Sequence, residues 1–379
     1  MARQNMNGEG SIYRRRSDGM WIGAVTVGYD DKGRMRRKTV SARTKKSVIE
    51  RKRKLQQQLD EGLPPPDDLI TVKTLFDRWF NDVMRHRIAG SALDNYRTIA
   101  NLHIIPVLGR RRVNKVTVRD VDSLLSAKID QGYSVSTVRR IRAVLVQALK
   151  QAVKWGIAPQ NVAAMTDGPK MQRIEARSLT PDQARTLVRV AKGDRLGACY
   201  VTMLALGLRR GEALGLRWDD VDLNAGIVTV RRSLQRTGGK LVVGDVKTAK
   251  SRRSINLPDP VKKALKAHKT RQAKDRLAAG SDWSDTGFVF TTKLGTPVDP
   301  RNLYRDLRKF TEKAGLGAWH PHELRHSAAS IMLAQGVPLE TVSDVLGHSS
   351  IRMTADVYAH IMPPQRQAAA SAMAEALWS

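Results

Sequence analysis

The stretch VSTVRRIRAVLVQALKQAVK, residues 135–154, spells a helix with two unlike faces. Val138, Ile141, Val144, Leu145, Ala148, Leu149 and Ala152 recur at steps of three and four, the period that lines one side of an α-helix with apolar groups. Such a stripe is stabilised by packing against neighbours rather than by helix propensity, so it implies further helices. Upstream, Val72, Leu75, Phe76, Trp79, Phe80 and Val83 repeat the same spacing, and helices are predicted around 91–104 and 117–130. Residues 71–165 are therefore expected to form an all-helical domain. The other face of 135–154 carries Arg139, Arg140, Arg142, Lys150 and Lys154. Such a face suits a nucleic-acid backbone, although solvated charge is the commoner use of one.

Outward from this domain the chain changes character twice. Residues 61–70 contain Pro64-Pro65-Pro66 and read as a semi-rigid linker. Before them, residues 1–60 hold 16 Lys+Arg against 6 Asp+Glu, a net of +10. Ser11–Arg15, Trp21–Gly28 and Met35–Val40 read as strands joined at Asp18-Gly19 and Asp31-Lys32-Gly33, with a polar helix over Ser47–Leu59. A small sheet of this kind can present strands to a DNA groove, and Arg14, Arg15, Arg16, Arg36, Arg37 and Lys38 are its candidate contacts. A non-specific basic arm has the same composition.

After a second linker over 166–177, Thr180-Pro181-Asp182-Gln183 reads as a capping box that opens a third segment, 178–379. Helices are predicted to about 216. Gly226–Arg232, Leu241–Val243 and Arg252–Leu257 are read as a three-stranded antiparallel sheet, followed by helices near 259–277, 299–314, 322–335, 338–346 and 353–361. The expected fold is multidomain and mainly α. It comprises a small N-terminal β-sheet plus helix domain, a helical domain, and a mainly α domain with a small antiparallel sheet.

Over the whole chain 66 Lys+Arg stand against 36 Asp+Glu, a formal charge of +30 on 379 residues. That length implies two or three domains. An excess spread through every segment calls for a polyanionic partner, and nucleic acid is the expected one. The single Cys199 excludes an internal disulfide framework and sits among apolar residues, as a core thiol would. No stretch approaches the roughly 18 apolar residues of a membrane span, and the first residues lack a signal peptide's apolar core. A cytoplasmic setting without membrane partners is expected.

The chemistry concentrates in the third segment, in chain order: Arg209, Lys247, His322, Arg325, His348 and Tyr358. A phosphodiester is anionic and its transition state more so, so fixed cationic donors are the largest catalytic effect obtainable without metal. Arg209 and Arg325 are the candidate clamp, because a guanidinium fork donates two bonds in fixed geometry. Glu212, three residues after Arg209, could hold it in place. His322 shares a helix face with Arg325 and could take the proton of an attacking phenol or bond a phosphate oxygen, with His320 and His326 as close alternatives. Gly347 reads as a helix C′ residue from which His348 emerges. Ser349-Ser350 caps a short helix carrying Tyr358, whose phenol has an ordinary pKa near 10 and needs local positive charge to attack. Lys247 at a hairpin tip could protonate the leaving oxygen, and Lys250 is its rival. Tyr304, beside Leu303 and Leu307, is assigned to packing. Each residue alone has a plainer explanation; the ordered set is specific. Neither a metal nor another cofactor is expected.

Here the chain resembles the tyrosine recombinase (phage integrase) family. The matching pieces are Gly207-Leu208-Arg209-Arg210-Gly211-Glu212 with Leu216-Arg217-Trp218, then Lys247-Thr248, His322-Glu323-Leu324-Arg325-His326, and Leu346-Gly347-His348 through Tyr358-Ala359-His360. Glu323 stands where Asp is common in the family. The resemblance implies that Tyr358 forms a 3′-phosphotyrosine and frees a 5′-hydroxyl, assisted by the other five residues without metal or ATP. It implies an arm-site DNA-binding domain at 1–60, a core-site DNA-binding domain at 71–165 and a catalytic domain with a tail at 178–379. The partners it implies are double-stranded DNA attachment sites and a homotetramer on them, with a host DNA-bending protein and a directionality factor as accessories. The setting would be a bacterial host's cytoplasm, and the role integration of a phage genome or other mobile element. A type IB-like topoisomerase shares the Arg, Lys, His and Tyr logic, and a non-catalytic architectural DNA-binding protein shares the charge. The apolar tail Ala368–Trp378 is expected to dock on a neighbouring protomer.

Overall fold

Residues 12–29, 33–60, 70–171, 177–246, 251–348, 350–358 and 373–378 are described in this computed structural model. The chain divides into two compact units, Met1–Gln172 and Arg173–Ser379.

The first unit opens with an antiparallel meander, β1 (Ile12–Arg14), β2 (Trp21–Tyr29) and β3 (Met35–Ala42), followed by α1 (Lys45–Asp60). Trp21 pairs with both Arg14 and Ala42, and a bulge lies between Thr26 and Gly28. Val48 of α1 sits against Gly23 of β2, where a Cβ would come within 2.9 Å of its methyl. The helical part runs α2 (Val72–Arg78), a π-helical stretch Trp79–Met84, α3 (Arg85–Arg87) and α4 (Gly90–Ile99). A second π-helical stretch Ala100–Ile104 follows, then α5 (Ile105–Leu108), α6 (Val118–Asp130) and α7 (Val135–Lys154). The seven apolar positions read from 135–154 are the buried residues of α7. They share a core with Leu75, Phe76, Trp79, Phe80 and Ile104.

The basic side of α7 is only partly a free surface. Arg142 Nε donates to Thr166 O and Oγ1, both at 3.1 Å, and Arg139 Nη1 donates to Pro169 O at 3.0 Å. The first residues of the stretch read as a linker, Thr166 to Pro169, are thus tied onto α7, and Thr166 is buried.

The second unit begins with α8 (Pro181–Ala191), whose capping box is formed by Thr180 and Gln183 as read. After it come α9 (Gly197–Leu206), α10 (Arg210–Gly215), β4 (Val221–Asp222), β5 (Ile227–Val230), β6 (Arg232–Thr237), β7 (Lys240–Asp245) and β8 (Arg253–Asn256). The chain finishes with α11 (Asp259–Ala279), α12 (Pro300–Lys313), α13 (Pro321–Ala334), α14 (Leu339–Leu346) and α15 (Ile351–Tyr358), with a helical turn over 373–378.

The strand pairing differs from the expectation. Leu241–Val243 does not join Gly226–Arg232 and Arg252–Leu257 in one sheet. β4, β5 and β8 form one sheet, and β6 and β7 form a separate hairpin. The reason is the two-residue turn Gly238-Gly239, with φ of 56° and 78°, which closes β6 directly onto β7. The core of this unit gathers Leu204, Leu208, Leu214, Val230, Phe290, Leu307 and Leu324. Cys199 is buried in it, and burial pushes its thiol far up from the ordinary range. Among the described residues no helix is long and apolar enough to cross a membrane.

Candidate active site

Two left-handed glycines bring the ends of α9 and α14 together. Gly207 closes α9 with φ 59°, and a Cβ there would stand 2.4 Å from Leu346 Cδ2. Gly347 closes α14 with φ 66°, the C′ position expected of it. Each stop has a carbonyl held by an arginine. Arg325 of α13, only 3% exposed, donates from Nη1 to Gly207 O at 2.8 Å. Arg209, the N-cap of α10, donates from Nη2 to Gly347 O at 3.2 Å. The two arginines read as a clamp are therefore fixed to the same pair of chain reversals.

Glu212 holds Arg209 as the sequence indicated. Its Oε1 accepts from Arg209 Nη1 at 2.7 Å and its Oε2 from the Arg209 backbone N–H at 3.1 Å. A second arginine, Arg253 of β8, donates from Nη2 to the same Oε2 at 3.0 Å. Burial pushes the Glu212 carboxyl up, and Arg253 followed by Arg209 more than reverses that, holding it below the ordinary carboxylate range. Two guanidinium groups, Arg209 and Arg253, meet this one buried carboxylate, a balance that favours an anion. Sequence reasoning missed Arg253. The available signal was period two: Arg253, Ile255 and Leu257 alternate onto one face, and the latter two are buried.

His348 follows the Gly347 stop, its N–H donating to Ser343 O at 3.0 Å. Its Nδ1 shares a hydrogen bond with Thr354 Oγ1 at 2.7 Å, which fastens the ring to α15, the helix that ends on Tyr358. Burial first, then the charges of Arg325 and Arg209, push the His348 imidazole down to about 4. Arg209 holds the carbonyl of Gly347, the residue from which His348 follows.

His322 stands in the first turn of α13. Desolvation, then His326, Arg325, His320 and Arg209, push it down to about 4 as well. Its alternatives have other work. His320 is the N-cap of α13, accepting from the His322 N–H at 3.1 Å, and Glu323 returns the cap at 2.6 Å on the His320 N–H. His326 meets the His322 ring edge-on at 5.1 Å. Tyr304, assigned to packing, is 37% exposed and meets the His320 ring at a tilt, 4.9 Å between centres, rather than entering the core.

The run His322-Glu323-Leu324-Arg325-His326 also has the His-Glu-x-x-His spelling that holds zinc elsewhere. Here Glu323 caps the helix start and a guanidinium lies between the two imidazoles in sequence. Among the described residues no group of three His, Cys, Asp or Glu could hold a metal ion.

Lys247 and Lys250 lie outside the described residues. Their flanking strands do not form the expected hairpin, since β7 pairs with β6 and β8 with β5. β7 and β8 therefore belong to different sheets.

The candidates of the first unit are placed within it. Arg14 Nε donates to Gly19 O at 3.0 Å, and Arg15 Nε to Asp18 Oδ1 at 2.9 Å. Arg16 is exposed, Arg36 stands opposite Gly28, Arg37 opposite Thr26 and Lys38 opposite Val25. Lys150 and Lys154 are exposed on α7, whereas Arg139 and Arg142 are engaged as described above.

Residues 177–364 match the phage integrase family, and residues 71–128 match the N-terminal SAM-like domain of phage integrases. An integrase of Streptomyces ambofaciens is 31% identical over 389 residues, spanning 98% of this chain and 97% of its own length. A XerC-like tyrosine recombinase of Caldanaerobacter subterraneus subsp. tengcongensis is 28% identical over 361 residues, spanning 90% of this chain and 92% of its own. The Tn1549 transposon integrase, solved in complex with transposon right-end DNA, shares the fold. Its TM-score is 0.67 at 21% identity, covering 82% of this chain and all of that one. With the ordered motif, the fold and a full-length relative in agreement, the chain belongs to the phage integrase family and is a tyrosine-type site-specific DNA recombinase.

Proposed function

We propose that Tyr358 is the nucleophile, attacking a DNA phosphodiester held by Arg209, Arg325 and His348. The phenolic oxygen forms a bond to phosphorus as the bond to the 5′-oxygen breaks, leaving a 3′-phosphotyrosine and a free 5′-hydroxyl. One phosphate ester is exchanged for another, so the step reverses without ATP. His322 receives the phenol proton or bonds a phosphate oxygen. Lys247, or its rival Lys250, gives the 5′-oxygen its proton. With Nδ1 of His348 engaged by Thr354, Nε2 is the nitrogen offered to the phosphate. The observation that carries this reading is the convergence of Arg209, Arg325 and His348 on the two glycine stops.

The substrates are double-stranded attachment sites of a phage or integrative element, and the reaction runs in a bacterial cytoplasm. Residues 71–165 bind the core site and residues 1–60 the arm site. Four protomers act on two duplexes, the tail through Trp378 docking on a neighbour, while a host DNA-bending protein and a directionality factor choose the direction. Met373, Leu377 and Trp378 of that tail are exposed, as docking needs.

The test uses nicked, labelled DNA from the flanks of the gene. Wild type should give an SDS-resistant protein–DNA adduct, and Tyr358→Phe should give none. Specific binding without any wild-type adduct would move the chain to an architectural role. An adduct without joining of two duplexes would leave only relaxation, as in a type IB topoisomerase.

A further inference from the structure

We infer that Arg253 is a positioning residue of the recombination reaction, setting the distance between the Arg209 guanidinium and the His348 imidazole without touching DNA. The inference rests on the catalytic reading of those two residues. Every nitrogen of the Arg253 guanidinium is already engaged by a protein acceptor, which sets it apart from the clamp arginines. Its three nitrogens bond two distant pieces of chain and the residue that leads into its own strand. Nη2 donates to Glu212 Oε2 on α10 at 3.0 Å, Nε to Val345 O at the end of α14 at 2.7 Å, and Nη1 to Ser251 O at 3.1 Å.

These bonds close a ring. Arg253 holds Glu212, Glu212 holds Arg209, Arg209 holds Gly347 O, and the α14 terminus leads back through Val345 O to Arg253. His348 is the next residue after Gly347, so the ring encloses the point from which the site imidazole emerges. The space for it is tight: a Cβ on Gly347 would stand 2.9 Å from Arg253 Nη1. A guanidinium at the carbonyl end of α14 is also favoured by the partial negative charge there. The third bond, to Ser251 O, holds the start of β8 to the same guanidinium.

A ring of charge-assisted bonds is rigid because no member moves without stretching two others. Catalysis by fixed donors is sensitive to such spacing, and a displacement of about 1 Å can cost on the order of a hundredfold. Lysine keeps the charge of Arg253 but cannot reproduce a planar fork with three diverging donors.

The experiment is single-turnover cleavage of the nicked attachment-site DNA by Arg253→Lys, with the Kd for the same DNA measured alongside. We expect cleavage to fall by at least about tenfold while Kd stays within about twofold. Glu212→Gln approaches the ring from its other side, keeping shape and losing charge, and should give the same split. The double variant should lose far less than the product of the two single losses. Cleavage within about twofold of wild type, a loss tracked by weaker binding, or multiplying losses would each overturn the inference. If Arg253→Lys fails to fold, the Glu212→Gln split decides alone. Adduct formation by the wild type is the separate check on the catalytic reading.

Discussion

Arg142 in the first unit and Arg325 in the second do the same thing to the backbone. Arg142 donates to Thr166 O at 3.1 Å, and Arg325 donates to Gly207 O at 2.8 Å. What surrounds them differs. Arg142 gives the rest of its fork to the same short segment, through Thr166 Oγ1 and Ala164 O. It acts as a staple. Arg325 touches a chain reversal that faces a second one held by Arg209, and its charge is felt by His322, His326 and His348. The lesson is that a basic residue's role is decided by which other groups share its surroundings, not by its charge or its exposure.

The contrast breaks most visibly at Arg325. Arg325→Lys keeps one positive charge but loses the fork that can hold Gly207 O and a phosphate oxygen together. Loss of a single fixed donor to a developing anion costs about 10²–10³ in rate. Single-turnover cleavage should fall by that order, with DNA affinity changed only a few-fold. An unimpaired Arg325→Lys enzyme would make Arg325 a staple like Arg142 and end the distinction.

A second effect, pH, falls mainly on the second unit, since His103 is the one histidine that burial lowers among the described residues of the first. His322 and His348 are held near 4, against an ordinary value of about 6.5. Between those values the unfolded chain binds protons that the folded one refuses. The contribution of these two histidines to the stability of the second unit is therefore fully present above about pH 6.5 and is lost as pH falls toward 4. His326 and His268, also lowered by burial, act in the same direction. A bound phosphodiester should reverse the balance locally, so DNA binding near pH 6 takes up protons. Thermal melts at pH 7.5 and 5.5 check the first claim, and calorimetry in two buffers of different ionisation enthalpy checks the second. His348→Asn should flatten part of the melting slope; an unchanged slope would mean that this cluster does not carry it.

What the sequence could and could not reveal follows the range of the interactions. The buried face of α7, the Thr180 capping box and the Gly347 stop depend on residues within four positions of one another, and each was legible. The site motifs were legible because their order is specific to the family. Partners distant in sequence were not. Reading Leu241–Val243 into one three-stranded sheet with Gly226–Arg232 and Arg252–Leu257 passed over Gly238-Gly239, a local signal that outweighs strand propensity. Arg253 finds Glu212 across 41 residues and Val345 across 92, and nothing local announces either bond. Arg142 reads like any helix-surface arginine until Thr166 folds back on it 24 residues later.

The smallest effects are the sharpest test of that last point, because α7 carries both kinds of cation on one side. Arg142→Ala removes a staple and leaves Thr166 O, on a buried residue, without its donor, so the first unit should lose about 1–3 kcal/mol of stability. Its salt dependence of DNA binding should stay unchanged. Lys150→Ala and Lys154→Ala remove exposed ammonium groups whose only proposed role is a phosphate contact. Each should leave the melting temperature within error and reduce the slope of log K against log salt by about 1. Urea melts and filter binding at several salt concentrations read both quantities on the same three proteins. A slope change in Arg142→Ala as large as that of the lysine variants would mean its guanidinium also meets phosphate. The division of this helix face into staples and contacts would then fail at the residue that defines it.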